Sequence, residues 1–202
     1  MNLLKCSAAA LASALIFASC ASTGAQNAGE VKSGGSEQNF LDGGYSLVFP
    51  TSYSEYAAQG VFATSETKHG EEADGTPYFH KLYADFMPFE MLEDIEELSQ
   101  AKGEMEAAEY TARINEIYTS IRAVFVITAY EKTAVAGKEI SDVTGFQENT
   151  LLGEREGLVY YQSKPPRSED GLSEQSLTVY RTLYDGVKDV VETIALFEPS
   201  VQ

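Results

Sequence analysis

Ala123-Val124-Phe125-Val126-Ile127-Thr128-Ala129 is apolar on alternate positions of both parities. A half-buried strand alternates apolar and polar residues, because successive side chains point to opposite faces. A run that is apolar on both faces is the pattern of a strand covered from both sides. This stretch therefore predicts a central strand, and the rest of the chain is read as what flanks and covers it.

Upstream, Tyr78 to Met87 predicts a strand with Leu82, Ala84 and Phe86 facing inward and Lys81, Tyr83 and Asp85 facing outward. His80 falls on the Leu82 side, at the edge of the core. Further back, Tyr45-Ser46-Leu47-Val48-Phe49 alternates, with Tyr45, Leu47 and Phe49 on one face and Pro50 ending the strand. Ser52 and Glu55 have the spacing of a capping box before a short helical turn that Gly60 stops. Val61 to Thr67 reads as another strand, and Lys68 to Pro77, which includes His69, as a polar loop.

Between the two clearest strands lie two helices. Pro88 takes the first helical position of one, with Met91, Leu92, Ile95 and Leu98 as its apolar face and Lys102-Gly103 as its stop. The other runs from Glu104 to Ser120, with Tyr110, Ile114 and Ile117 at helical spacing. After the central strand, residues 131–142 read as a polar connection. Phe146 to Leu152 and Leu158 to Ser163 read as an antiparallel pair. A last helix is capped by Ser173, carries Val179, Leu183, Val187, Val190, Ile194 and Phe197 as one stripe, and ends at Pro199. Strands, helices, strands and a helix in that order predict an α+β domain: an antiparallel sheet with helices packed on it.

The start of the chain has a different character. Lys5 is the one charge before an uncharged run from Ala8 to Ala18, and Ser19 and Cys20 follow. A basic start, a short apolar core and small residues at the end describe an export signal. The run is shorter than the roughly 20 residues that a membrane-crossing helix needs. Phe17-Ala18-Ser19-Cys20 resembles the lipobox of bacterial lipoproteins, with Phe17 where that family usually has Leu. The resemblance implies cleavage between Ser19 and Cys20 and acylation of Cys20. It also implies an extracytoplasmic, membrane-anchored domain, with the outer membrane favoured over the inner because Ala21, not Asp, follows the cysteine. Two or more acyl chains hold a protein on a bilayer effectively permanently, at about 0.8 kcal/mol per buried methylene. The expected organisation is a signal peptide over 1–19, a lipidated cysteine and flexible tether over 20–38, and one domain over 39–202. The Gly- and Ser-rich tether has a mean reach of roughly 25 Å.

The domain strands add a second resemblance. Gly44-Tyr45-Ser46-Leu47-Val48-Phe49-Pro50, Gly157-Leu158-Val159-Tyr160-Tyr161 and the closing Ile194-Ala195-Leu196-Phe197-Glu198-Pro199 are similar to elements of PsbP/Mog1-like domains. They also resemble the amino-terminal module of thioredoxin-like lipoproteins without the CxxC domain. PsbP-like domains serve mainly as binding and assembly factors, so the resemblance implies a binding or adaptor role with no catalytic residues.

Composition excludes several functions. The net charge is −17, and removing a segment that holds only Lys5 makes it one unit more negative. Nucleic acid is no partner for such a chain, because its binding rests on neutralising phosphates. Anionic headgroups would also repel it, so lipid has to make the membrane contact. If Cys6 leaves with the signal and Cys20 is acylated, as the lipobox resemblance implies, no thiol remains for a disulfide, a nucleophile or a zinc ligand. No cofactor motif is present, neither G-x-G-x-x-G nor a P-loop around Gly137-Lys138. The acidic run Glu90, Glu93, Asp94, Glu96 and Glu97 reads as a solvated helix face, since it lacks the loop pattern of a calcium site. Lys164-Pro165-Pro166-Arg167 is the one basic spot.

Tyr78, His80, Tyr83, Tyr160 and Tyr161 remain as the candidate binding face, because tyrosine is enriched at interfaces. The expected function is a non-catalytic, lipid-anchored binding or adaptor domain of the bacterial cell envelope, with another envelope protein as partner. One alternative is an extracytoplasmic hydrolase or metal-dependent enzyme that uses His80 with nearby carboxylates. Another is a surface-exposed structural lipoprotein.

Overall fold

The structure is a computed structural model and describes residues 35–200. The expected signal segment, the expected lipidation site at Ser19-Cys20 and most of the expected tether lie outside these residues. The described chain is α+β, and every strand pairing in it is antiparallel.

The central-strand expectation is met. Ten strand residues, Arg122–Glu131 (β5), sit in the middle of a five-stranded sheet. Phe62–Glu71 (β3) and Pro77–Phe86 (β4) lie on one side, with Leu158–Lys164 (β7) and then Glu148–Arg155 (β6) on the other. All residues from Val124 to Tyr130 are buried. A second, three-stranded sheet is made by Ser36–Phe40 (β1), Tyr45–Phe49 (β2) and Ala195–Leu196 (β8). The single sheet expected from the sequence is thus two.

One face of the large sheet carries the main core. Leu82, Ala84 and Phe86 of β4, Phe125, Ile127 and Ala129 of β5, and Leu158 and Tyr160 of β7 project there. Against them pack Tyr45, Leu47 and Phe49 of β2, which are buried on the predicted face. Helices α1 (Thr51–Ala58), α6 (Glu174–Asp185) and α7 (Val187–Val191) complete the cover with Tyr53, Val179, Tyr180, Leu183, Val187 and Val190. Burying side chains of this size contributes about 1.5–3 kcal/mol each.

Several local expectations are corrected. The strand β1 begins at Ser36, three residues inside the expected tether. Its residues are mostly exposed, so pairing with β2 and not a hydrophobic pattern makes it a strand. Pro50 and not Ser52 is the N-cap of α1, and Pro88 likewise caps α2 (Phe89–Ala101) from one position outside the helix. Lys102–Glu104 forms a 3-10 turn, and α3 (Ala107–Tyr118) is shorter than the expected helix. The connection after β5 holds two short helices, α4 (Lys132–Val135) and α5 (Ile140–Thr144). The five-residue gap expected between the last two strands closes to a two-residue turn, with Glu156 at φ 47° and Gly157 at φ 83°. Two positive φ values in a row are the geometry that matches the twist of a hairpin.

The closing helix also differs. Ser173 is its N-cap as expected, its Oγ accepting from the Ser176 amide at 3.3 Å. The helix breaks at Gly186, resumes as α7, and gives way to β8, which pairs with β2. Thr193 explains the stop. Its Oγ1 donates to the Val190 carbonyl at 2.6 Å and accepts from the Val48 amide at 2.8 Å, so the chain is tied to β2 where the helix would continue.

Candidate functional site

The five candidate residues divide between the two faces of the large sheet. His80 and Tyr160 lie on the core side and are fully buried. Tyr78, Tyr83 and Tyr161 lie on the other side and are half-buried. Adjacent Tyr160 and Tyr161 part in this way because successive residues of a strand face opposite ways.

His80 uses both ring nitrogens. Its Nε2 is 2.7 Å from a Glu66 carboxylate oxygen, and its Nδ1 is 3.4 Å from the Tyr45 hydroxyl. The Tyr45 ring meets those of His80 and Tyr160 edge-on, at 5.6 and 6.0 Å. Burial, then the Glu66 charge, pushes the Tyr45 hydroxyl well above its usual range. Carboxylate, imidazole and hydroxyl stand in the order that activates a nucleophile. Here the hydroxyl is enclosed: Tyr45 and His80 are both 0% exposed, and Gly43 lies directly over them. The surface concavities around Arg167–Arg181 and around Phe79–Leu158 are lined by other residues. The three groups therefore hold the core edge together, with the Tyr45 hydroxyl and the His80 ring enclosed. Tyr160 differs again, since its buried hydroxyl has no hydrogen-bond partner among the described residues.

The second face is built around a charged cluster that the alternation in β4 assigns to solvent. Lys81 is 7% exposed, and its Nζ lies 2.5 Å from Glu72 Oε2. The Tyr130 hydroxyl donates to Glu72 Oε1 at 2.5 Å. The Lys81 ammonium also sits 4.5 Å from the Tyr78 ring centre and 5.8 Å from that of Tyr83, within the range of cation–π attraction. The rings of Tyr130 and Tyr161 are 6.4 Å apart. Tyr83, Lys81, Tyr78, Glu72, Tyr130 and Tyr161 thus form one continuous set of contacts. Burial lowers the Lys81 ammonium, while Glu72 opposes that by attraction and hydrogen bonding.

Local structure delivers Glu72. It belongs to the turn between β3 and β4, where the Glu72 amide donates to the Thr76 carbonyl at 2.8 Å and the Gly75 amide to the Glu72 carbonyl at 2.9 Å. Asp74 accepts from the Thr76 amide and hydroxyl at 2.8 and 2.6 Å, and these bonds, with Lys138 beside them, hold its carboxyl below the usual range. Val135, Ile140 and Val143 cover Tyr130 and Val159 at this end of the face. Farther along, Asp85 is mostly buried with no hydrogen bond or ion pair among the described residues, and burial raises its carboxyl to about 6.

Among the described residues, no group of three or more His, Cys, Asp or Glu side chains is placed to hold a metal ion, and no helix is long and apolar enough to cross a membrane.

The chain matches no family model, no curated protein and no solved structure. The site must therefore be read from its own geometry. A rigid tyrosine face over an internal ion pair suits recognition, because aromatic rings with few rotatable bonds lose little entropy on binding.

The acidic run on α2 also resolves into two parts. Glu93, Asp94, Glu96 and Glu97 are exposed, as a solvated face predicts. Glu90 instead reaches the start of α6, accepting from the Ser173 amide at 2.8 Å and the Ser176 hydroxyl at 2.6 Å. Burial alone would raise its carboxyl, but these hydrogen bonds outweigh it and hold it at about 2. Arg167 of the basic spot is taken up by Glu169 and Asp185, at 2.5 and 3.0 Å.

Proposed function

We propose that this chain is a lipid-anchored, extracytoplasmic domain of the bacterial cell envelope that binds another envelope protein and carries out no chemistry of its own. One observation carries the reading: Tyr78, Tyr83 and Tyr161 stand half-exposed on one sheet face, braced from beneath by Lys81, Glu72 and Tyr130. Interface anchors are commonly rigid aromatic side chains with an apolar body and a polar tip. The lipobox at Phe17–Cys20 supports the anchor, and the strongly acidic composition supports attachment through lipid and not through surface charge. The likeness of the domain strands to PsbP/Mog1-like modules fits the same adaptor role.

The test is mild cross-linking in intact cells, followed by purification through a carboxy-terminal tag and mass spectrometry. The expected result is one stoichiometric envelope protein, retained by the natural chain and lost when Tyr83 and Tyr161 are both changed to Ser. A monomer without a partner would overturn the reading.

A further inference from the structure

A groove of about 400 Å³ opens at the end of the large sheet where β5 stops and β6 turns into β7. Its floor is apolar: Phe79, Leu158 and Pro199. Glu131, Glu156 and Glu198 stand on its rim.

The walls are held in place. Pro199 is packed against Gly44, where any Cβ would lie 2.7 Å from the proline ring. The segment around it is tied on both sides, with the Phe197 amide donating to the Gly44 carbonyl at 2.8 Å and the Ser200 amide to the Leu41 carbonyl at 2.9 Å. Phe79 is backed by the His69 ring, edge-on at 5.1 Å. The Glu156–Gly157 turn is fixed by the Lys132 amide, which donates to the Gly157 carbonyl at 2.9 Å. A preformed apolar groove costs little to occupy, because its side chains are already ordered.

The charge around it is one-sided. None of the three rim carboxylates makes a hydrogen bond or ion pair among the described residues, and all three are exposed. The nearby cations are engaged elsewhere: Lys132 with Glu154 at 2.5 Å, Lys68 with Asp42, and Arg155 with the Leu196 carbonyl at 3.2 Å. An apolar floor under three uncompensated negative charges complements an apolar side chain next to a positive one.

We propose that this groove docks a segment of the partner protein in which a lysine or arginine is flanked by apolar side chains. This deepens the reading of the chain as a protein-binding domain and rests on it. The tyrosine face and the groove are then two separate contact regions, the groove supplying the charge preference.

The test is an amide chemical-shift titration of the isotope-labelled full chain with the peptide acetyl-Leu-Lys-Phe-Lys-Leu-amide. The control is the same peptide with Glu in place of Lys. The expected result is saturable shifts at Thr133, Gly157 and Leu158 with the basic peptide alone, weakening about tenfold when salt rises from about 0.05 M to 0.5 M. The variant with Glu131→Gln, Glu156→Gln and Glu198→Gln is expected to keep the fold, since these side chains are exposed and make no hydrogen bond or ion pair among the described residues, and to lose the shifts. An equal response to the acidic peptide, no saturable response, or unchanged binding by the triple variant overturns the proposal. The cellular cross-linking separates this from the broader reading: a partner captured equally by the triple variant removes the groove and leaves the adaptor role standing.

Discussion

The Lys81 ammonium and the Glu72 carboxylate meet at 2.5 Å with each side chain only 9% exposed. Such a pair offsets the cost of taking two charges out of water only while both members are present, so losing one is far worse than losing both. Glu72 also accepts from Tyr130. Glu72→Ala is expected to destabilise the domain by about 3–5 kcal/mol, and the double variant Glu72→Met, Lys81→Met by clearly less. Denaturant unfolding of the two variants checks this. A double variant as unstable as Glu72→Ala would show that packing and not charge pairing governs the site.

Asp85 offers the opposite case, a mostly buried carboxylate with no hydrogen bond or ion pair among the described residues. Its carboxyl is raised from 3.8 to about 6, so the folded chain holds this proton more tightly than the unfolded one. Its contribution is therefore best below pH 4, falls as pH rises from about 4 to about 6, and stays low above that. The gap corresponds to roughly 2–3 kcal/mol. Asp85→Asn is expected to raise stability at pH 7 by up to that amount and to change little at pH 3.5. A natural chain and variant that unfold together across this range would refute the assignment.

Glu90 has the reverse sign. Its carboxyl is lowered from 4.5 to about 2 by the hydrogen bonds from Ser173 and Ser176. Its stabilisation is complete above pH 4.5 and is lost as pH falls through about 2. Because the group is partly exposed, Glu90→Gln should cost only on the order of 1 kcal/mol at pH 7. The measurement is the stability difference between natural and variant chains at pH 7 and at pH 2. The difference should shrink to a small remainder at the lower pH, where the group is about half protonated in the folded chain.

Much of this architecture is legible in the sequence, and the failures have physical causes. The doubly apolar run at Val124–Ile127 correctly marks β5 as central. The same run implies that its neighbour β4 is also covered on both sides, a consequence that Lys81 hides because a lysine at an alternating position reads as solvated. Glu72 is hidden differently, since a turn residue bonded across to β4 and β5 leaves no trace in local spacing. The short helices α4 and α5 are below the length at which helical periodicity can be recognised. The stripe through Ile194 and Phe197 keeps helical spacing, yet β2 still has an open edge there, and pairing with Ala195 and Leu196 wins over propensity. His80 could be placed on the core side by alternation, whereas its bonds to Glu66 and Tyr45 could not.

The proposed lipid anchor is tested apart from the domain. Growth with labelled palmitate should label the natural chain and leave Cys20→Ser unlabelled, with the variant released from the membrane fraction. Labelling of Cys20→Ser, or its retention on the membrane, would sink the lipoprotein assignment.

Gly43 tests the core edge. A Cβ there would lie 2.6 Å from the Tyr45 ring and 2.7 Å from His80 Nδ1, distances that real Cβ atoms do not show. Neither ring can yield freely, because His80 is held by Glu66 and Tyr45 is packed on Tyr160. Gly43→Ala is expected to cost about 1–3 kcal/mol through overpacking. A Tyr45→Leu background should recover part of that loss, since it removes one of the two clashing rings, and His80→Ala should recover part through the other. Thermal unfolding of the single and double variants gives the coupling directly. If the losses are simply additive, Gly43 acts through its own backbone, and the contact between this turn and the Tyr45–His80 pair does not set the stability of the core edge.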